Sequence, residues 1–153
     1  MKRNKFSWIK KLLIGLSIFV LALSVLPFGI PLSKAQAVEK PYENSRFFSV
    51  EGSDVHYQVF QPTTASYKGA LLMVHGLGGS TFSYQENAPT LAEAGYFVVA
   101  VDLPGFGYSS RQTDEDHSQV HRAKILWQLL DSVLDGNPNW HLLGHSMGGG
   151  TVA

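Results

Sequence analysis

A serine between glycines, close to the end of the sequence, is the residue best suited to do chemistry. Residues 144–148 read GHSMG and follow an apolar run at residues 140–143 that has the length and composition of a buried strand. A serine in the pattern G-x-S-x-G after a strand occupies a tight, strained turn, because the glycines let neighbouring backbone pass without a Cβ clash. The pattern therefore predicts that Ser146 exposes its hydroxyl as a nucleophile.

A second glycine-rich segment could stabilise the negative charge that such a nucleophile creates. Residues 75–79 read HGLGG and follow another apolar run at residues 70–74. A backbone N–H in this loop can point at the acyl oxygen that a serine attacks, and the N–H of the residue after the serine can be a second donor. We therefore predict that the main-chain amides of Leu77 and Met147 form an oxyanion hole.

Both segments need strands to hold them, and the sequence predicts five. Two short β-rich runs separated by Gly52-Ser53-Asp54 indicate a hairpin, and the later apolar runs are typical of strands buried on both faces. The expected strands are residues 46–51, 55–61, 70–74, 96–101 and 140–143. Because ligands bind beyond the carboxyl ends of parallel strands, the loops that begin at residues 75, 102 and 144 should meet.

Two helices are expected between these strands. The first begins at Ser80, is broken or kinked near Pro89 and is closed by Gly95. The second begins in a capping-box-like stretch at residues 113–116 and has an apolar stripe. The residues of this stripe are Val120, Ala123, Trp127, Leu130 and Leu134. Strand–helix–strand units with right-handed crossovers predict an α/β fold with a mostly parallel sheet and crossover helices.

Histidines and acidic residues elsewhere are expected to have structural roles. His75 should order its loop by hydrogen bonding, and His145 occupies the variable position of the serine motif. His117 and His121 are spaced i, i+4, but the glutamate that follows the first histidine in zinc peptidases is absent, so no metal site is expected. The acidic run at residues 114–116 should be a solvated helix start.

Three segments together resemble the α/β-hydrolase family. They are residues 75–79, the sequence DLPGFGYS at residues 102–109 and the serine motif at residues 144–148, in the family's order and spacing. The resemblance covers about residues 46–153 and implies the N-terminal half of an α/β-hydrolase fold, truncated after the nucleophile elbow. It implies Ser146 as nucleophile, an oxyanion hole at Leu77 and Met147, and no cofactor. Turn geometry rather than chemistry is expected of Asp102 and its loop.

The resemblance implies a serine hydrolase that cleaves an ester or related acyl bond of a small-molecule substrate, with carboxylesterase or lipase as the favoured class. Aminopeptidase, C–C bond hydrolase and cofactor-free haloperoxidase share these motifs and stay open, as does a non-catalytic fragment or tethered binding protein. In the family an acid and a histidine follow the serine, whereas only seven residues follow Ser146. We therefore expect the 153-residue chain alone to be inactive.

The N-terminus has the organisation of an export signal. Basic residues precede an uncharged run rich in Leu, Ile and Val at residues 12–26, and Ala35-Gln36-Ala37 has the small-x-small pattern of a cleavage site. We expect a signal peptide or N-terminal membrane anchor at residues 1–37, a linker at 38–45 and the folded part at 46–153. Cleavage after Ala37 gives a secreted protein, and retention gives one anchored to the outer face of the cytoplasmic membrane, so the folded part is extracytoplasmic either way.

Composition excludes several other classes of protein. The chain has no cysteine, which excludes disulfide frameworks and cysteine-ligated metal sites. Residues 1–37 hold six Lys or Arg and no acid, which leaves six basic and 12 acidic residues in the rest of the chain. That balance offers no basic surface to a phosphate backbone, so no nucleic-acid partner is expected. Contact with a membrane is expected only through the N-terminal segment.

Overall fold

The structure, a computed structural model, describes residues 5–29, 40–136 and 138–153. The chain divides into two compact units, Met1–Ala37 and Val38–Ala153. The first unit contains one helix, α1 (Lys5–Gly29). Among the residues described with their side chains, no helix is both long enough and apolar enough to cross a membrane. The proposed cleavage site falls outside the described residues.

A five-stranded mixed sheet forms the centre of the second unit. Its strands are β1 (Ser45–Val50), β2 (Ser53–Phe60), β3 (Gly69–Val74), β4 (Tyr96–Val101) and β5 (Trp140–Gly144), in the order β1-β2-β4-β3-β5. β1 and β2 form the expected antiparallel hairpin, and β2 is antiparallel to β4. β3 pairs in parallel with β4 and with β5. The α/β fold is confirmed, and the parallel part comprises the last three strands, so that the sheet as a whole is mixed.

The two central strands are buried on both faces, as their continuous apolar sequences predict. Alternate residues of a strand point to opposite sides of the sheet. On one side Leu72, Val74 and Val99 pack against α3 (Gln119–Val133), and on the other Met73 and Val98 pack against the segment that joins β3 to β4. This two-sided burial fixes where β3 and β4 end, and therefore where the loops after them begin.

The segment between β3 and β4 differs from its prediction. It forms a 3-10 helix (Thr81–Tyr84) and then α2 (Asn87–Glu93), rather than one helix broken at Pro89. Pro89 lies in the first turn of α2, where a backbone N–H has no acceptor within the helix. A proline, which has no N–H, therefore costs no hydrogen bond there, and the helix is interrupted before Pro89 and not at it. Ser80 caps the 3-10 helix as predicted, and Gly95 follows α2 with φ of 103°.

α3 begins later and faces the core differently from the prediction. Ser118 is its N-cap and accepts the N–H of His121 at 3.2 Å, so residues 114–116 precede the helix and do not form its first turn. Val120 and Trp127, two members of the predicted stripe, are 67% and 53% exposed. The buried residues of α3 are Arg122, Ile125, Leu126, Leu129 and Leu130. Both stripes satisfy the 3.6-residue period of a helix, and the contact with the sheet buries the one that contains the adjacent aliphatic pairs.

β5 is the edge strand of the sheet. It pairs with β3 on one side, and no strand of the described ranges pairs with its other side. Leu142 and Leu143 are accordingly exposed. The apolar sequence of β5, which predicts a buried strand, is therefore only partly covered.

The turn from β5 into α4 (Met147–Val152) depends on close approach of backbone segments. Ser146 has φ of 52° and ψ of −116°, and a non-glycine residue in such a conformation stores about 1–3 kcal/mol of strain. A Cβ added to Gly144 would overlap the carbonyl of Gly148, and one added to Gly148 would overlap the carbonyl oxygen of Val74. The two glycines therefore let α4 start directly against β5 and the end of β3.

We predict opposite effects for two alanine substitutions in α4. Gly148→Ala is expected to destabilise the fold by about 1–3 kcal/mol because its Cβ overlaps backbone that cannot move aside. Gly150→Ala is the matched control, since its Cβ would meet only the Gln119 side chain at 3.6 Å, and alanine favours a helix by about 0.5–1 kcal/mol over glycine. Urea unfolding followed by circular dichroism measures the stability of both variants. Equal unfolding midpoints for the two variants would contradict the close backbone contact at Gly148.

Candidate active site

Ser146 is exposed on the turn between β5 and α4. Its side chain makes no capping hydrogen bond to the helix that it precedes. The strained backbone lifts the hydroxyl away from the packed side chains of the strand before it. The hydroxyl is therefore open to a ligand that approaches the carboxyl end of the sheet.

The two amides predicted for an oxyanion hole belong to separate segments that meet at this serine. Met147 is the first residue of α4, where an N–H has no helical acceptor four residues back. The Leu77 N–H donates to no backbone carbonyl within the described ranges. Gly76 brings the Leu77 loop close, because a Cβ on Gly76 would lie 3.1 Å from the Cβ of Ser146. Both segments therefore lie against the serine, and neither N–H donates to a backbone carbonyl of the described residues. Backbone amides of this kind can receive a developing negative charge.

His75 fixes the peptide that carries the Leu77 N–H. The backbone N–H of Leu103 donates to its Nε2 at 3.1 Å, so the ring hydrogen is on Nδ1, which donates to the carbonyl of Gly76 at 2.7 Å. The carbonyl of residue 76 and the N–H of residue 77 point in opposite directions across one trans peptide, so holding the first orients the second. Burial lowers the pKa of His75 and keeps the ring neutral. The expected structural role of His75 is confirmed.

A buried carboxylate joins the loops around the serine. The side chain of Asp102 accepts hydrogen bonds from the backbone N–H of Thr81 at 2.5 Å, from that of Tyr108 at 2.8 Å, and from His56 Nδ1 at 2.8 Å. Burial by itself raises the pKa of Asp102, but these hydrogen bonds outweigh burial and hold the pKa below its ordinary value. Asp102 is therefore an anion at neutral pH. Thr81 and His56 are 21 and 46 residues away in the sequence, so no local pattern predicts these two contacts. Gly107 is a local signal, because a Cβ at this position would overlap the carboxylate.

Arg122 of α3 supports the residue after the serine. Its Nη1 lies 3.3 Å from the Sδ of Met147, and its guanidinium lies 5.4 Å from the centre of the Phe106 ring. Burial lowers the pKa of Arg122, although a guanidinium stays charged at any physiological pH. Apolar periodicity does not predict a buried arginine, and this contact packs α3 against the start of α4.

The structure does not bring together the two histidines spaced i, i+4, His117 and His121. His117 precedes α3 and lies against Gly105, whereas His121 is on the helix with its Nε2 4.0 Å from the Glu51 carboxylate. The i, i+4 pair therefore does not share a helix face. In the part of the chain that the structure describes, no group of three His, Cys, Asp or Glu side chains could hold a metal ion.

Comparison with known proteins places these features in a family. Residues 69–153 match the family model for the alpha/beta hydrolase fold. The uncharacterized hydrolase YugF of Bacillus subtilis is 33% identical over 104 residues, which are 68% of this chain and 36% of that protein. The 2-hydroxy-6-oxononadienedioate/2-hydroxy-6-oxononatrienedioate hydrolase of Cupriavidus pinatubonensis is 32% identical over 108 residues, which are 69% of this chain and 37% of that protein.

Solved structures agree with the sequence relatives. The thioesterase domain from the curacin biosynthetic pathway superposes with a TM-score of 0.58 at 28% identity, covering 68% of this chain and 37% of that domain. The chain thus spans little more than a third of the length of the relatives it matches. Because the family model covers more than half of the chain, including β3, β4, β5 and the serine turn, the chain belongs to the α/β-hydrolase fold family.

Proposed function

We propose that the complete protein is a serine hydrolase that cleaves an ester or related acyl bond through an acyl-enzyme on Ser146. The observation that carries the proposal is the exposed Ser146 on a strained turn against which the Leu77 loop lies. The N–H groups of Leu77 and Met147 donate to no backbone carbonyl of the described residues, which leaves them available to a ligand. Membership of a family whose relatives are named hydrolases and a thioesterase supports it. Carboxylesterase or lipase activity on a small-molecule substrate is the favoured class.

In the proposed reaction, Ser146 Oγ gives its proton to the base and bonds to the acyl carbon, and the bond to the leaving group then breaks as the leaving group takes up that proton. Water hydrolyses the resulting acyl-enzyme and restores the serine hydroxyl. The carbonyl oxygen becomes an oxyanion in the transition state and accepts hydrogen bonds from Leu77 and Met147. Removing one such donor costs about 3–4 kcal/mol in enzymes that use an oxyanion hole. Because both donors are backbone groups, their contribution depends on the loops that hold them rather than on their side chains.

The base that takes the serine proton is not one of the two buried histidines. His75 and His56 each have both ring nitrogens engaged in hydrogen bonds inside the fold. A general base needs a free nitrogen within hydrogen-bond reach of the nucleophile. Because the triad of this fold runs in the order serine, acid and histidine, we assign the acid and the base to residues that follow the serine in the complete protein. The 153-residue chain alone should then show negligible turnover.

Hydrolysis of a carbon–carbon bond is the second candidate. It is favoured by the 32% identity to the 2-hydroxy-6-oxononadienedioate/2-hydroxy-6-oxononatrienedioate hydrolase. A panel that contains a p-nitrophenyl ester, an acyl thioester and a 2-hydroxy-6-oxo-dienoate separates the two classes. The highest kcat/KM on the dienoate would replace the ester assignment.

The N-terminal segment is proposed to export the protein. The basic start, the uncharged apolar run at residues 12–26 and the Ala35-Gln36-Ala37 sequence support a signal peptide cleaved after Ala37. The folded part would then act outside the cytoplasm, and it would start at Val38. Retention of residues 1–37 as a membrane anchor is the alternative outcome.

We predict that a fluorophosphonate probe labels the protein made from its complete reading frame and that Ser146→Ala abolishes the labelling. The matched control is Ser132→Ala, because Ser132 lies on α3 and its hydroxyl bonds to Leu129 within the same helix. The control should label at the wild-type rate, as measured by in-gel fluorescence over time. Absence of labelling and of turnover on the whole panel would contradict the hydrolase and favour a binding protein.

Export is expected to yield a product whose N-terminal sequence begins at Val38. Ala37→Glu should block cleavage, because the residue before the scissile bond must be small, whereas Gln36→Glu should be processed normally as the matched control. N-terminal sequencing of the protein in the culture medium and in the membrane fraction measures both. A product that retains residue 1 in the membrane fraction would show an anchor instead.

A further inference from the structure

Three buried side chains from separate segments form a continuous chain of hydrogen bonds that ends at the Asp102 carboxylate. Ser45 Oγ lies 2.7 Å from His56 Nε2, and His56 Nδ1 lies 2.8 Å from the Asp102 carboxylate. His56 and Asp102 are completely buried, and Ser45 is 8% exposed. We call these three residues the inner triad. Ser45 begins β1, His56 lies on β2 and Asp102 follows β4, so the inner triad ties the hairpin to the parallel strands.

We propose that the inner triad is a positioning device that holds the Leu77 N–H in place for the reaction at Ser146. This inference rests on the proposed hydrolase function of that serine. None of the three residues is assigned contact with substrate. They act through the hydrogen bonds that the Asp102 carboxylate makes to the loops, which makes His56 and Asp102 positioning residues for the oxyanion hole.

The loop that carries Leu77 is fixed at both of its ends by consecutive residues after β4. At its start, the Leu103 N–H donates to His75. At its end, the Thr81 N–H donates to Asp102. Within the loop, the Gly79 N–H closes a turn onto the carbonyl of residue 76 at 3.0 Å. A displacement of Asp102 therefore releases one end of the loop and loosens the Gly76–Leu77 peptide, which is then held only by His75 and by the Gly79 turn.

His56 holds the carboxylate in the position that this bond needs. Asp102 Oδ1 accepts from Thr81, and Oδ2 accepts from both Tyr108 and His56. These three donors are shared between two fixed oxygens, so the carboxylate has one arrangement that satisfies all of them. An asparagine has a single acceptor oxygen, so Asp102→Asn must leave either the Thr81 N–H or the Tyr108 N–H without an acceptor.

The inner triad is not a second active site, although its atoms occur in the order of a catalytic triad. The Ser45 hydroxyl already accepts the Tyr42 N–H at 3.1 Å and bonds to His56. The rings of Phe47 and Tyr108 lie 5.2 Å and 5.4 Å from the ring of His56 and cover it. No acyl group can reach a nucleophile that is packed in this way, so its role is to hold the loops.

The test measures the rate at which a fluorophosphonate labels Ser146 in the complete protein. Asp102→Asn should slow labelling by about 10- to 100-fold, because a small displacement of an oxyanion donor has effects of that size. Asp54→Asn is the matched control, since it makes the same change in an exposed carboxylate, which accepts the Ser49 hydroxyl within the β1–β2 hairpin. Circular dichroism confirms that each variant is folded at the temperature of the assay.

Two substitutions of His56 leave the Asp102 carboxylate in place. They distinguish a positioning role of His56 from a role in the general stability of the fold. Asparagine places its side-chain N–H near the position of Nδ1 and can still donate to Asp102, whereas glutamine reaches the position of Nε2 and can contact only Ser45. His56→Asn should therefore label within about threefold of the wild type, and His56→Gln should be as slow as Asp102→Asn. If His56 only filled space, asparagine would not restore the labelling rate better than glutamine does.

Each result decides the proposal. Equal labelling rates for Asp102→Asn and Asp54→Asn, or faster labelling of His56→Gln than of His56→Asn, would overturn it. If the wild type is not labelled, the hydrolase function fails, and backbone amide NMR then tests the inner triad by itself. The amide resonances of Leu77 and Gly78 should shift in His56→Gln and not in His56→Asn, and unchanged resonances in both would overturn the positioning role.

Discussion

The close contact between α4 and the ends of β3 and β5 is the constraint on which the rest of the site depends. Gly148 lies against the backbone of Val74, and Gly144 lies against the backbone of Gly148, without side chains between them. This contact leaves Ser146 with φ of 52°, a conformation that surrounding structure must enforce. The exposure of Ser146 is therefore a consequence of the close backbone contact between the start of α4 and the ends of β3 and β5.

Buried polar groups, rather than apolar packing, position the loops beside this turn. Apolar side chains fill the space on both sides of β3 and β4, but hydrophobic contact is not directional and cannot aim a peptide group. His75 and Asp102 supply that direction, because each is completely buried and has its hydrogen-bonding groups paired with backbone or with His56. A buried polar group without partners is costly, so the loops are held to the one geometry that pairs them.

Local patterns in the sequence predict most of the elements, whereas tertiary contacts decide their exact ends and faces. Continuous apolar runs predict β3 and β4, and the glycine motif predicts the turn at Ser146. The helix stripe at Val120 and Trp127 was wrong, because two overlapping apolar stripes satisfy the same 3.6-residue period and only the shape of the sheet selects one. Pro89 was wrongly predicted to break a helix, because the effect of a proline depends on where the helix begins.

The sequence by itself determined the fold class, the order of the strands along the chain, and the glycines that allow a serine to occupy a strained turn. These depend on periodicity and on the space around single residues, both of which are local properties. Only the tertiary structure decided that His56, Asp102 and Ser45 share one buried network, since they lie 11 and 46 residues apart in the chain. Such a network has no signature in the spacing of its members, because its donors and acceptors meet only after the strands have paired.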